Sequence, residues 1–106
     1  YTYIADAVAA LFRILLDSDD IVYNIGDSDN RVSIRELAET ITQINPDDHL
    51  KVIMDIPSDA LKGVSPYTLG ILNNDKLCSI GWKPRYSVLE GFSRTLKYLE
   101  IEESKK

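Results

Sequence analysis

The sequence predicts an α/β fold, a small lobe built around one βαβ unit. Two observations carry that expectation. Two short runs rich in β-branched residues, near 21–25 and 51–56, flank a segment with helical periodicity. Two Ser-x-x-Glu capping boxes then mark helix starts at Ser33 and Ser87. At 106 residues the chain is one domain or a piece of one.

The first helix is expected near 7–17. Asp6 is placed as its N-cap. Val8, Leu11, Phe12, Leu15 and Leu16 recur at helical spacing, which reads as a core-facing stripe. Asp17-Ser18-Asp19-Asp20 ends it. Ile21-Val22-Tyr23-Asn24-Ile25 reads as an interior strand closed by Gly26. After a polar loop, Ser33 and Glu36 open a helix near 33–45 with Ile34, Leu37, Ala38, Ile41 and Ile44 on one face. Asn45-Pro46 stops it. Lys51 to Ile56 reads as the second strand, parallel to the first through a right-handed crossover.

Residues 58–72 carry little pattern and read as a long loop. A short helix near 74–80 is expected to stop at Gly81. Trp82-Lys83-Pro84 forms a rigid connector, with the indole as an aromatic plug over a small core in preference to a ligand-stacking surface. The last helix, near 87–100, carries Val88, Phe92, Leu96 and Leu99.

Composition excludes several functions. A net charge of −5 opposes non-specific nucleic-acid binding and an anionic membrane surface. No apolar run reaches the ~18 residues of a membrane helix. With Cys78 the only cysteine and His49 the only histidine, internal disulfides and multi-cysteine or multi-histidine metal sites are excluded within the chain. A reducing cytoplasm is the expected location. His49 reads as a surface residue in a polar loop beside Asp47 and Asp48, and Cys78 as a small buried thiol. The acids at 17–20 and 27–29 lack calcium-loop spacing and read as solvated turns. No catalytic or metal-ligating set is expected. Tyr1 and Tyr3 alternate along the segment entering the first helix, and the sequence leaves open which faces a ligand and which the core.

The order of the short motifs adds a family resemblance. They are Tyr1-Thr2-Tyr3-Ile4-Ala5-Asp6-Ala7, Tyr23-Asn24-Ile25-Gly26, Ser33-Ile34-Arg35-Glu36-Leu37-Ala38, Lys76 to Pro84, and Leu89-Glu90-Gly91-Phe92. Together they resemble the C-terminal portion of the extended short-chain dehydrogenase/reductases. Within that family they are most similar to the nucleotide-sugar epimerases, 4,6-dehydratases and UDP-glucuronate decarboxylases.

The resemblance implies an intact enzyme with a Rossmann domain. It would use NAD or NADP for transient hydride transfer from the sugar. Residues 1–106 would be its truncated C-terminal substrate-binding lobe. The NAD-binding domain, the catalytic Tyr-x-x-x-Lys pair and any bound cofactor are not expected in this fragment. The start at Tyr1, running directly into a packed helix, is likewise read as a cut in a longer chain.

The resemblance places Tyr1 at the family's nucleotide-side aromatic and Asn73 at a substrate-contact position, so both are the expected substrate-binding residues. The family's Asp at the Asn73 position and its Arg at the Gly70 position are not matched. The partner implied is a nucleotide sugar. The alternative is a free-standing acidic α/β interaction module. A homodimer through exposed core or a strand edge fits either reading.

Overall fold

A computed structural model describes residues 1–20, 22–55 and 70–106. Its elements are helices: α1 (Ile4–Asp17), α2 (Ile34–Ile44), a 3-10 turn (Pro46–Asp48), α3 (Asp75–Ser79) and α4 (Val88–Ser104). Among the described residues there is no strand and no sheet. The α/β class and its βαβ unit are therefore corrected to an all-helical arrangement with extended connectors.

The reason lies in what each expected strand finds beside it. Val22–Ile25 forms no ladder with a second backbone, and the bonds that cross from it run through side chains. Lys76 Nζ donates to the Val22 carbonyl at 2.8 Å, and Asn24 Nδ2 donates to the Asn73 carbonyl at 3.2 Å. Tyr23 and Ile25 still turn inward onto the core, while Val22 and Asn24 face out, so the two-residue alternation persists without a ladder. Residues 51–55 bury almost nothing: Ile53 is 86 % exposed. Two short strands without a shared buried face are marginal. Ile21 and residues 56–69, including most of the expected 58–72 loop, lie outside the described residues.

The helices follow their local signals more closely. Ser33 Oγ accepts from Glu36 N at 3.1 Å, and Glu36 Oε2 accepts from Ser33 N at 2.6 Å. Ser87 and Glu90 make the same reciprocal pair at the start of α4. These bonds hold both glutamates below the ordinary carboxylate range, chiefly through the serine backbone N–H and then the serine hydroxyl. Helix α3 ends in a Schellman turn. Gly81 N–H donates to Cys78 O, Trp82 N–H donates to Leu77 O, and Gly81 takes φ +91°.

The core is small. Ala10, Leu77 and Trp82 are buried, with Ile14, Tyr23, Ile25, Cys78 and Ile80 packed around them. Trp82 is thus the structural plug. Helices α2 and α4 pack on each other beside this core. The radius of gyration is 17.6 Å, whereas a compact domain of this length has about 13 Å.

Two expectations for α1 are corrected. The helix begins at Ile4, with Tyr3 at the N-cap, so Asp6 lies inside the first turn and caps nothing of its own helix. The face that packs inward is Asp6, Ala10 and Ile14. The expected core stripe points to solvent: Leu15 is 76 % and Leu16 75 % exposed. Alanine at position 10 lets the indole approach closely, and the polar groups of Asp6 fix that approach. The bulkier stripe has no surface among the described elements to bury it.

Candidate functional site

The site is built on Asp6. Its carboxylate is 2 % exposed and accepts from the backbone N–H groups of Arg85 at 3.0 Å and Tyr86 at 3.1 Å. Its backbone carbonyl accepts from Trp82 Nε1 at 2.9 Å. One residue in the first turn of α1 therefore fixes the whole 82–86 connector and, through it, the start of α4. Tyr3 continues the joint, with its ring edge-on to Tyr86 at 5.0 Å and seated against Gly91.

Asn30 supplies the second joint. Its Nδ2 donates to Asp27 Oδ2 at 2.7 Å and to the Tyr86 carbonyl at 2.9 Å, and its Oδ1 accepts from Val88 N–H at 3.0 Å. Every hydrogen-bonding group of the side-chain amide points into the fold. Asn74, 9 % exposed, makes the third joint by donating to the Gly26 carbonyl at 2.8 Å. The Gly26–Asn30 loop is thereby held between α3 and α4.

These joints frame an open cleft of about 750 Å³. One wall is Tyr1 and Thr2, the floor is the loop from Ile25 to Ser33, and the far wall is Gly70, Ile71 and Leu72. Thr2 Oγ1 accepts from Asp27 N–H at 3.2 Å, tying the first wall to the floor. A second, more apolar hollow of about 270 Å³ lies on the other side of Tyr1, against Val88, Phe92 and Thr95 of α4. Tyr1 borders both cavities and is half exposed, whereas Tyr3 packs inward. Tyr3 also lines the second hollow.

Among the described residues Arg31 is the one cationic side chain lining the larger cleft, which it shares with the carboxylates of Asp27 and Glu36. Asp27 is engaged by Asn30 and by the Asp29 N–H, and Glu36 by Ser33. Among the described residues Arg31 makes no ion pair, so its guanidinium is available to an anion.

Asn73 follows Leu72, the last residue of the far wall, but does not line the cleft. Its Nδ2 donates to Asp75 Oδ2 at 3.0 Å and its Oδ1 accepts from Asp75 N–H at 2.8 Å, which opens α3. The two expected substrate contacts are thus not brought together. Arg31, Asn30 and Asn74 were not singled out in the sequence. The Asp27-Ser28-Asp29-Asn30 run signalled only a turn, and an amide that reaches across 56 or 58 positions leaves no local trace.

Among the described residues neither Cys78, which packs at the core, nor His49, which is exposed after the 3-10 turn, lines the cleft, and the Ser33–Glu36 pair that does is engaged in capping α2. The arrangement offers an aromatic ring, a hydroxyl and a guanidinium, which is chemistry for binding. Among the described residues no group of three or more His, Cys, Asp or Glu side chains could hold a metal ion. No helix among them is long and apolar enough to cross a membrane.

Comparison with known proteins adds a distant similarity. The chain is 24 % identical over 109 residues to UDP-D-apiose/UDP-D-xylose synthase 2 of Arabidopsis thaliana, covering 92 % of this chain and 28 % of that protein. Synthase 1 of the same plant matches to the same extent. The chain therefore spans little more than a quarter of the length of these relatives. No protein-family model and no solved structure matches it. At this distance the chain is similar to nucleotide-sugar synthases across most of its length, and the similarity reaches no further than that family.

Proposed function

We propose that this chain is the substrate-binding portion of an NAD- or NADP-dependent enzyme acting on a nucleotide sugar. The observation that carries the reading is the match to two UDP-sugar synthases across 92 % of the chain. The cleft between Tyr1-Thr2 and Gly70–Leu72 supplies a place for the ligand. In this reading Tyr1 packs against the nucleotide. Arg31 provides the oriented, bidentate anion contact that a diphosphate requires. It takes over from the family's Arg position, which falls here on Gly70. The dinucleotide cofactor and the groups that move protons and hydride come from elsewhere in the enzyme.

The test is a titration of the isotope-labelled chain with UDP-D-xylose, followed by amide NMR. Saturable shifts are expected at Thr2, Gly26 and Arg31. Arg31→Ala weakens the apparent affinity at least tenfold, about what losing one charge-assisted contact costs. NAD produces no saturable response. Shifts that avoid the cleft, or an affinity indifferent to Arg31→Ala, would remove this assignment. Saturable NAD binding by calorimetry would overturn the separation of cofactor and substrate portions.

A further inference from the structure

Arg31 is placed by its neighbours and not by its own bonds. Among the described residues no hydrogen bond or ion pair holds its guanidinium. A long, unheld side chain loses conformational entropy when a ligand orders it. Its reach into the cleft therefore depends on how firmly the backbone beside it is fixed. Two positions on, Ser33 is fixed by the capping box of α2. On the other side, Asn30 is fixed by three bonds from one side-chain amide.

Those bonds reach the best-anchored part of the molecule. Asn30 Nδ2 donates to the Tyr86 carbonyl, while the N–H of the same Tyr86 donates to Asp6 Oδ2 in α1. Asn30 Oδ1 accepts the Val88 N–H, a donor with no partner inside α4 because it opens that helix. Nδ2 also donates to Asp27 Oδ2, across the turn that floors the cleft. A side-chain amide serves all three. A carboxylate of the same shape would set acceptors against Asp27 and the Tyr86 carbonyl, and a hydroxyl has a single donor.

We propose that Asn30 is a positioning residue for anion binding. Its amide ties the backbone on one side of Arg31 to the Asp6–Tyr86 joint, and so pre-orders the guanidinium for a phosphate. This role rests on the reading of the cleft as a nucleotide-sugar site. Asn30 borders the cleft, but its Nδ2 is committed to Asp27 and Tyr86, so it acts through Arg31 and not on the ligand.

Two measurements on the full chain test this role. The first needs no ligand. In Asn30→Ala the amide order parameter of Arg31, by NMR relaxation, should fall from about 0.85 to below about 0.6. Asn30→Asp keeps the size of the side chain and the acceptor for Val88 but cannot donate, and it should loosen Arg31 as well. It serves in place of the alanine variant if that variant does not fold. The second measurement is affinity for UDP-D-xylose. Asn30→Ala should weaken it about fivefold, the cost of ordering one long side chain on binding. In an Arg31→Ala background the same change should cost less than about twofold. A purely structural joint would lower affinity equally in both backgrounds, and that result overturns the proposal. So does an Arg31 amide that stays ordered in the folded variants, or an affinity that Asn30→Ala leaves intact while Arg31→Ala weakens it. A wild-type chain that does not bind UDP-D-xylose removes the substrate reading, and the positioning role with it.

Discussion

Replacing Asp6 by alanine should uncouple the two ends of this chain. The carboxylate accepts two backbone N–H groups, at 3.0 and 3.1 Å, from a connector 79 and 80 positions away. Hydrogen bonds to a charged group contribute about 1.5–3 kcal/mol each. Because the Arg85 and Tyr86 donors are only part-buried, the lower figure applies, and the pair is worth about 3 kcal/mol. The Trp82 indole bonds to the Asp6 backbone carbonyl rather than the side chain, so that contact survives in principle and the substitution isolates the carboxylate. A loss of about 3 kcal/mol is a large share of the 5–15 kcal/mol that stabilises an ordinary domain. It should lower a urea midpoint by about 2 M at the slope usual for a small protein.

The assay is urea unfolding followed at two probes, circular dichroism at 222 nm and the emission of Trp82, the only tryptophan. Emission should move to the red on substitution as the connector loosens. Both N–H groups donate to the same oxygen, Oδ2, so Asp6→Asn can keep both bonds without the charge and should lose about half as much. If Asp6→Ala changes stability by less than about 0.5 kcal/mol, the level of an ordinary surface substitution, and leaves the emission unmoved, the joint does not hold the fold.

Two other perturbations follow from particular contacts. A Cβ on Gly91 would sit 2.9 Å from Tyr3 Cδ2, on a ring already held by Tyr86. Gly91→Ala should therefore destabilise by about 1 kcal/mol despite its better helix propensity. Adding Tyr3→Ala should reverse the sign of the effect in a double-mutant cycle. The capping boxes predict an acid limb. The folded-state pKa values of Glu36 and Glu90 lie below the ordinary glutamate value of 4.5. Their contribution is present above that value and is lost as pH falls through the lower, folded-state one. Helicity should decline there, and Glu36→Gln with Glu90→Gln should flatten the decline; an unchanged acid limb in the double variant would count against the caps.

Local chemistry was the most legible part of the fold. Ser33 with Glu36 and Ser87 with Glu90 each complete their bonds within four residues, so the helix starts can be read directly from the sequence. Gly81 marks a helix end for the same reason: the positive φ it adopts is accessible to glycine at little cost. The runs 22–25 and 51–55 show the opposite case. A strand is defined by a neighbour, and β-branched composition is satisfied equally by an extended connector with alternate residues turned inward, as Tyr23 and Ile25 are. Motif order pointed to Tyr1, which lines the cleft, but Arg31 and Asn30 acquire meaning only from what lies opposite them.

The sequence by itself determined where α2 and α4 begin and where α3 ends, the acidic character of the chain and the exclusion of disulfide and histidine-cluster chemistry, because each depends on neighbouring residues or on counting. Tertiary structure alone decided which face of α1 is buried. The apolar stripe from Ile4 to Leu16 has the stronger periodicity, yet the small face of Asp6, Ala10 and Ile14 turns inward. Hydrophobic periodicity fixes that a face seeks cover without saying what covers it. The choice was made by the Trp82 indole and the connector N–H groups, which find their acceptors on Asp6.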